Sequence, residues 1–314
     1  MRKLVLAAAI AAATPAFAQS SVAIYGRLNV TVESVKQGED DRRAEVRNNS
    51  SRIGFKGVED LGGGLKAGFQ IEHGFDPSTG QQNLNDDGSL APFWGRQAEV
   101  NLSSAFGTVR LGTFTPESYY ATADYISMHN HDTGDSADLF YTTRFTTQNK
   151  VGYASPNFGG LQVHASVSEG SASVERTYDV AANYDLGNWH FGAGYEKQGD
   201  FNQFAVRGLV ELGSFTLGAY LQRVDHPTRG DALHARVSGM WAFGASELHL
   251  NVGRAGEYSN IDQSDAVQFT LGYNYNLSKR TKAYAYYTRV DRDDVLKVYG
   301  GDFDALAVGV RHNF

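Results

Sequence analysis

The sequence predicts an all-β fold, a 16-stranded antiparallel transmembrane β-barrel, and three observations predict it. Sixteen segments alternate apolar and polar residues with the period of two that a strand imposes by pointing successive side chains to opposite faces. After residue 18 no apolar run approaches the roughly 20 residues that a membrane-crossing helix needs, yet the chain holds 17 Tyr, 18 Phe and 35 Gly against 6 Pro. The connections between the segments alternate between short and long, the spacing of a barrel that crosses a bilayer.

The chain begins with Arg2 and Lys3, continues with "VLAAAIAAA" and reaches the small residues of "TPAFA". That order is a secretory signal peptide, expected to be cut after Ala18, so that residues 1–18 are the signal and 19–314 the barrel. The mature chain then has 296 residues, 314 less 18, and with 26 basic against 35 acidic residues a net charge of −9. There is no cysteine, so neither a disulfide framework nor a thiolate metal site is available.

The expected strands are 22–32, 51–59, 65–75, 95–103, 108–114, 150–154, 161–168, 177–186, 189–197, 203–212, 215–224, 232–243, 247–253, 266–277, 281–289 and 304–314. Short turns follow at 60–64, 105–107, 156–160, 186–188, 212–214, 243–246 and 276–279, and longer polar loops at 35–49, 76–92 and 115–141. In 266–277, Val267, Phe269, Leu271, Tyr273, Tyr275 and Leu277 share one face, opposite Gln268, Thr270, Gly272, Asn274 and Asn276. The last stretch, "LAVGVRHNF", puts Leu306, Val308, Val310, His312 and Phe314 on one face. Alternation of this kind suits a sandwich as well as a barrel. A meander of sixteen strands in one soluble sheet would curl, split or expose its edges, and closure in lipid removes the edges. Trp94, Tyr184, Trp189, Trp241 and Tyr275, at strand ends, are expected in the interfacial aromatic girdles.

Other chemistries find little support. The acidic balance and the absence of a basic tract argue against a nucleic-acid partner. No G-x-S-x-G occurs, the nine histidines are scattered, and His129 and His131 in "HNH" lack an evident third ligand, so no enzyme and no cofactor or metal is expected. Gly192 and Gly194 form a G-x-G inside a strand, where glycine thins the wall rather than cradling a phosphate.

Several stretches carry a family resemblance: "SVAIYGRLNV", "SRIGFKGVEDLGGGLKAGFQIEHGF", "WGRQAEVNLSSAFGTVRLGTFTP", "VGYASPNFGGLQV", "GYNYNLSKRT" and the terminal "VGVRHNF". The chain resembles the general porins of Gram-negative bacteria, especially those of beta-proteobacteria, from its first strand to its last. The resemblance implies a homotrimer in the outer membrane, with short periplasmic turns, longer extracellular loops and a third loop folded into the lumen. It also implies contact with outer-membrane lipid and lipopolysaccharide, and a terminal Phe314 read by the outer-membrane assembly machinery. The chain departs from the family in having Arg27 and Asn29 where an acidic residue usually follows "YG", and in lacking an "FFG"-like segment after "FTP".

The function expected is passive diffusion of small hydrophilic solutes and ions, governed by pore width and by charge at the narrowest point. Loop residues 116–141 carry Glu117, Asp124, Asp132, Asp135 and Asp138 and no Lys or Arg, and an inward fold brings them to the constriction. Arg27, Arg52, Lys56, Arg110 and Arg144 share strand faces with small or polar residues, and a lipid-facing position at midplane would cost about 2 to 4 kcal/mol each; these five form the expected basic wall. Arg96 shares its parity with Ala98, Val100 and Leu102, so its face stays open. Net charge favours cations at the mouths and the wall arginines favour anions inside, with a slight lean to anions. A porin specific for small organic acids, and a surface β-rich binding protein without a pore, are the alternatives.

Overall fold

The computed structural model describes residues 21–85, 88–129, 137–170, 174–292 and 301–314. They form one antiparallel sheet of eighteen strands that closes on itself through a β1–β18 pairing. The strands are β1 Ser21–Gln37, β2 Arg43–Asn48, β3 Arg52–Gly62, β4 Leu65–Asp76, β5 Gln81–Gln82, β6 Gln97–Ser104, β7 Gly107–Thr113, β8 Lys150–Ala154 and β9 Leu161–Ser168. They continue with β10 Thr177–Leu186, β11 Trp189–Gln198, β12 Phe201–Leu212, β13 Phe215–His226, β14 Gly230–Phe243, β15 Ser246–Ala255, β16 Ala266–Asn276, β17 Thr281–Arg292 and β18 Phe303–Asn313.

Eighteen strands make sixteen staves. β3 pairs with the first half of β1, from Ser21↔Val58 to Arg27↔Arg52, and β2 pairs with its second half, from Val30↔Asn48 to Val35↔Arg43. β2 and β3 are therefore one stave, interrupted at 49–51, where Ser50 takes a positive φ of 59° and the Ser51 hydroxyl accepts from the Asn29 amide at 2.9 Å. β5 is a two-residue extension beside the end of β4. The expected loop at 35–49 is thus largely strand, and only 38–42 turn between β1 and β2. Glu33, Arg43, Glu45 and Arg47 share the inner face, opposite Val32, Ala44 and Val46, so the alternation continues here, but the dense charge reads as a polar loop in the sequence.

The barrel is inside out relative to a soluble protein. On β12, Gln203, Ala205 and Arg207 are buried and point inward, whereas Phe204 and Val206 are exposed. The same alternation runs through β10, β11, β13, β15, β16 and β18. Tyr184, Trp189, Trp241 and Tyr275 stand exposed on this outer face near the short-turn ends of their strands. Trp94 does not: it lies in the second loop, edge-on to Phe55 at 6.4 Å and to Phe93 at 4.9 Å. At that same end of the barrel, Gly187 and Gly213 hold positive φ of 60° and 63° in two-residue hairpin turns, the backbone such tight connections require.

Loop length on the other side is less uniform than the alternation predicts. Only 199–200 join β11 to β12, and 227–229 join β13 to β14. Phe314 completes the closure: its amide and carbonyl exchange hydrogen bonds with Gly26, both 3.1 Å. Its ring covers Gly26 so closely that a Cβ there would lie 2.4 Å from Cζ.

Candidate pore constriction

The third long connection, between β7 and β8, turns into the barrel. It carries a single helical turn, α1 Glu117–Tyr119, continued by a wider π-helical turn over Tyr120–Asp124, and both touch β10 and β11. Glycines on the inner wall make room for it. Phe114 sits over Gly152 of β8, Ser118 over Gly194 and the Ala121 carbonyl over Gly192 of β11, Ile126 over Gly218 of β13, and His129 over Gly272 of β16. A Cβ at Gly194 would come 2.7 Å from Ser118 Cα, and one at Gly272 would come 2.5 Å from His129 Cδ2. Ala123, Ile126 and Tyr141 of the loop are buried against Ala205, Leu209 and Tyr220 of the wall.

Polar tethers fix the loop along this track. The Arg207 guanidinium donates to the Ala121 carbonyl at 2.9 Å and lies 3.6 Å over the Tyr125 ring. The Tyr141 hydroxyl accepts from Thr122 at 2.9 Å and from Gln203 at 3.1 Å. Burial raises the Tyr141 hydroxyl above the ordinary tyrosine range, so it stays protonated and can donate to the Ser118 carbonyl at 3.3 Å.

The expected basic residues fall in four places. Arg27 and Arg52 are directly opposed in the β1–β3 register. Arg311 of β18 lies across from Asn29 of β1 and from Lys282 of β17, which extends the basic arc. Lys56, further along β3, is exposed, with its ammonium 5.2 Å from the Tyr25 ring centroid. Arg110 is bound by two carboxylates, Glu99 at 2.7 Å and Glu117. Arg144 lies elsewhere, its guanidinium 4.5 Å over Phe201 of β12, a stave half-way round the ring from β3.

The expected acids separate as well. Glu117 is paired with Arg110 and stands 3.7 Å from His164. Asp138 accepts from the Tyr119 hydroxyl. Asp124 stands close enough to Tyr120 to raise its hydroxyl, after burial, which is the larger cause. Asp132 and Asp135, like His131, lie outside the described residues.

Tyr120 joins the loop to a cleft of about 290 Å³ that Arg52, Gln70, Glu72, Arg96, Thr115 and Thr147 also line. Within it Glu72 accepts from Arg96 at 2.7 Å and stands 3.9 Å from Arg52. Arg96 faces the lumen because β6 begins only at Gln97, so strand parity does not govern it. Glu72, Glu99, Lys150, Asp179, Glu196, Arg207 and Arg311 were not singled out from sequence. The available signal was a charged residue in an inward row of small or polar ones, as with Glu196 after Gly192 and Gly194.

A closed sixteen-stave barrel, apolar outside and polar within, with a loop folded into its lumen beside clustered charges, defines a channel of the outer-membrane type. A Gram-negative porin family model matches residues 5–295, and the chain belongs to that family. The outer membrane porin protein 32 of Delftia acidovorans is 30% identical over 364 residues, covering 100% of this chain and 99% of that one. The major outer membrane protein P.IB of Neisseria meningitidis serogroup B is 27% identical, over 100% of this chain and 89% of its own length. Among solved structures, an anion-selective porin from Comamonas acidovorans superposes with a TM-score of 0.80 at 27% identity, covering 94% of this chain and all of that one. The trimer form of OmpT of Vibrio cholerae shares the fold at a TM-score of 0.72 and 16% identity, covering 94% of this chain and 99% of that one. The protein is an outer-membrane porin.

Proposed function

We propose that the protein is a general diffusion porin, a homotrimer that admits small hydrophilic solutes and ions with a slight preference for anions. The observation that carries the preference is the cleft beside loop 3, where two guanidiniums, Arg52 and Arg96, face the single carboxylate of Glu72. Arg27 lies next to Arg52 and adds to the same side, while Asp124 stands beside Tyr120 on the loop. Opposed charge in a narrow, low-dielectric surround sets up a transverse field that orients dipolar solutes and slows apolar ones. Residues 1–18 act as a cleaved export signal, and Phe314 serves barrel assembly. The outer face meets lipid and lipopolysaccharide.

The test is the reversal potential of the detergent-refolded protein in a planar bilayer under a salt gradient. Stepwise conductance with an anion-side reversal supports the reading. A cation-side reversal would show that the net charge of −9 and the loop acids outweigh the arginines.

A further inference from the structure

Both ends of loop 3 rest on one point of the wall. Asp179 of β10 and Glu196 of β11 are directly opposite each other in the register, and their residues are 2% and 0% exposed. Asp179 holds the beginning of the loop: it accepts from the Glu117 amide at 2.8 Å, from the Ser118 amide at 3.3 Å and from the Ser118 hydroxyl. Glu196 holds the end: it accepts from the Arg144 amide at 3.2 Å and from the Thr143 hydroxyl.

Each of these bonds ends on a carboxylate oxygen; ionised, the group only accepts, whereas protonation turns one oxygen into an O–H donor and removes the charge that strengthens the bonds to the other. Bonds from N–H and O–H to an ionised carboxylate are also roughly twice as strong as neutral ones. Two carboxylates side by side repel, and each disfavours the ionised form of the other. The charged groups around them only partly offset this. Lys150 of β8 is buried, its ammonium 4.6 Å over the Phe114 ring and without a hydrogen-bond partner among the described residues. Arg110 of β7 is engaged by Glu99 and Glu117, His164 of β9 stands beside Glu117, and the Arg144 guanidinium is turned onto Phe201. The second oxygen of Glu196, Oε1, is buried and accepts no hydrogen bond from the described residues.

We propose that Asp179 and Glu196 are positioning residues that clamp the two ends of the constriction loop, and that protonating either one loosens the loop and makes the conductance unsteady. The proposal rests on the porin reading, because its readout is the behaviour of an open channel.

The experiment is single-channel recording of the refolded trimer from neutral pH down to about pH 4, where ordinary carboxylates take up a proton. Wild type, Asp179→Asn, Glu196→Gln and the conservative Asp179→Glu are compared. Wild type should close rarely at neutral pH and severalfold more often at the acid end. Asp179→Asn and Glu196→Gln should each show the acid-type closing frequency already at neutral pH, with a flattened pH profile, and Asp179→Glu should restore the wild-type profile. If both amide variants keep the wild-type closing frequency and pH profile, the clamp is wrong while the porin reading stands. Absence of conductance from folded wild-type trimer would overturn the porin reading and the clamp with it. Should Asp179→Asn fail to fold, Glu196→Gln decides alone, since it acts at the other end of the loop.

Discussion

A single arginine shows how far strand parity reaches. Arg96 shares the parity of Ala98, which leaves its face open in the sequence; it lies one residue before β6 and turns to Glu72 at 2.7 Å. Together with Arg52 it gives the cleft a surplus of positive charge. Arg52→Gln and Arg96→Gln should each move the reversal potential toward cations, and Glu72→Gln should move it further toward anions. Measured in one salt gradient, equal potentials for all three would remove these residues from the selectivity site. Tyr141 acts through position instead of charge. Tyr141→Phe takes away the partner of Thr122 and Gln203, at about 1 to 3 kcal/mol for the groups left buried. Denaturant unfolding of the variant should show a lower midpoint.

At the scale of elements, loop 3 follows glycines. Gly192 and Gly194 leave no room for a side chain beneath Ala121 and Ser118. Gly192→Val or Gly194→Val should therefore lift the loop off the wall and lower the single-channel conductance, while the strand itself tolerates a β-branched residue. Gly208 of β12 has none of the described residues within 4 Å of an added Cβ, so Gly208→Ala is the control and should conduct as wild type. If the Gly192 and Gly194 variants conduct like this control, the loop does not lie along that track. The second stave teaches the converse point. Its second half, β2, is as regular as the rest, with Ala44 and Val46 outward and Arg43, Glu45 and Arg47 inward, yet its density of charge reads as a loop.

For the whole molecule, closure is the event that makes a pore, and the chain's last residue joins it to the first strand. Phe314→Ala removes the ring packed on Gly26, and Gly26→Leu displaces it. Both should lower the yield of heat-modifiable folded barrel severalfold on refolding. Unchanged yields from both variants would leave the terminal aromatic without a part in closure.

Much of this was legible in the chain. The sixteen staves, their inward and outward faces and the oily exterior follow from a period of two, which is a local property of a strand, and the acidity of the third loop from its composition. Arg27 and Arg52 were placed on the inner face by the same rule, and register then put them side by side. Which charge meets which was not legible. Arg110 is held by Glu99 and Glu117, Glu72 gathers Arg52 and Arg96, and the two ends of loop 3 converge on Asp179 and Glu196. Alternation says which face a residue takes but not the height at which neighbouring strands align, nor the path of a loop across the lumen. Those depend on the stagger at which the sheet closes and on how the loop packs against the wall, and only the tertiary structure decides them.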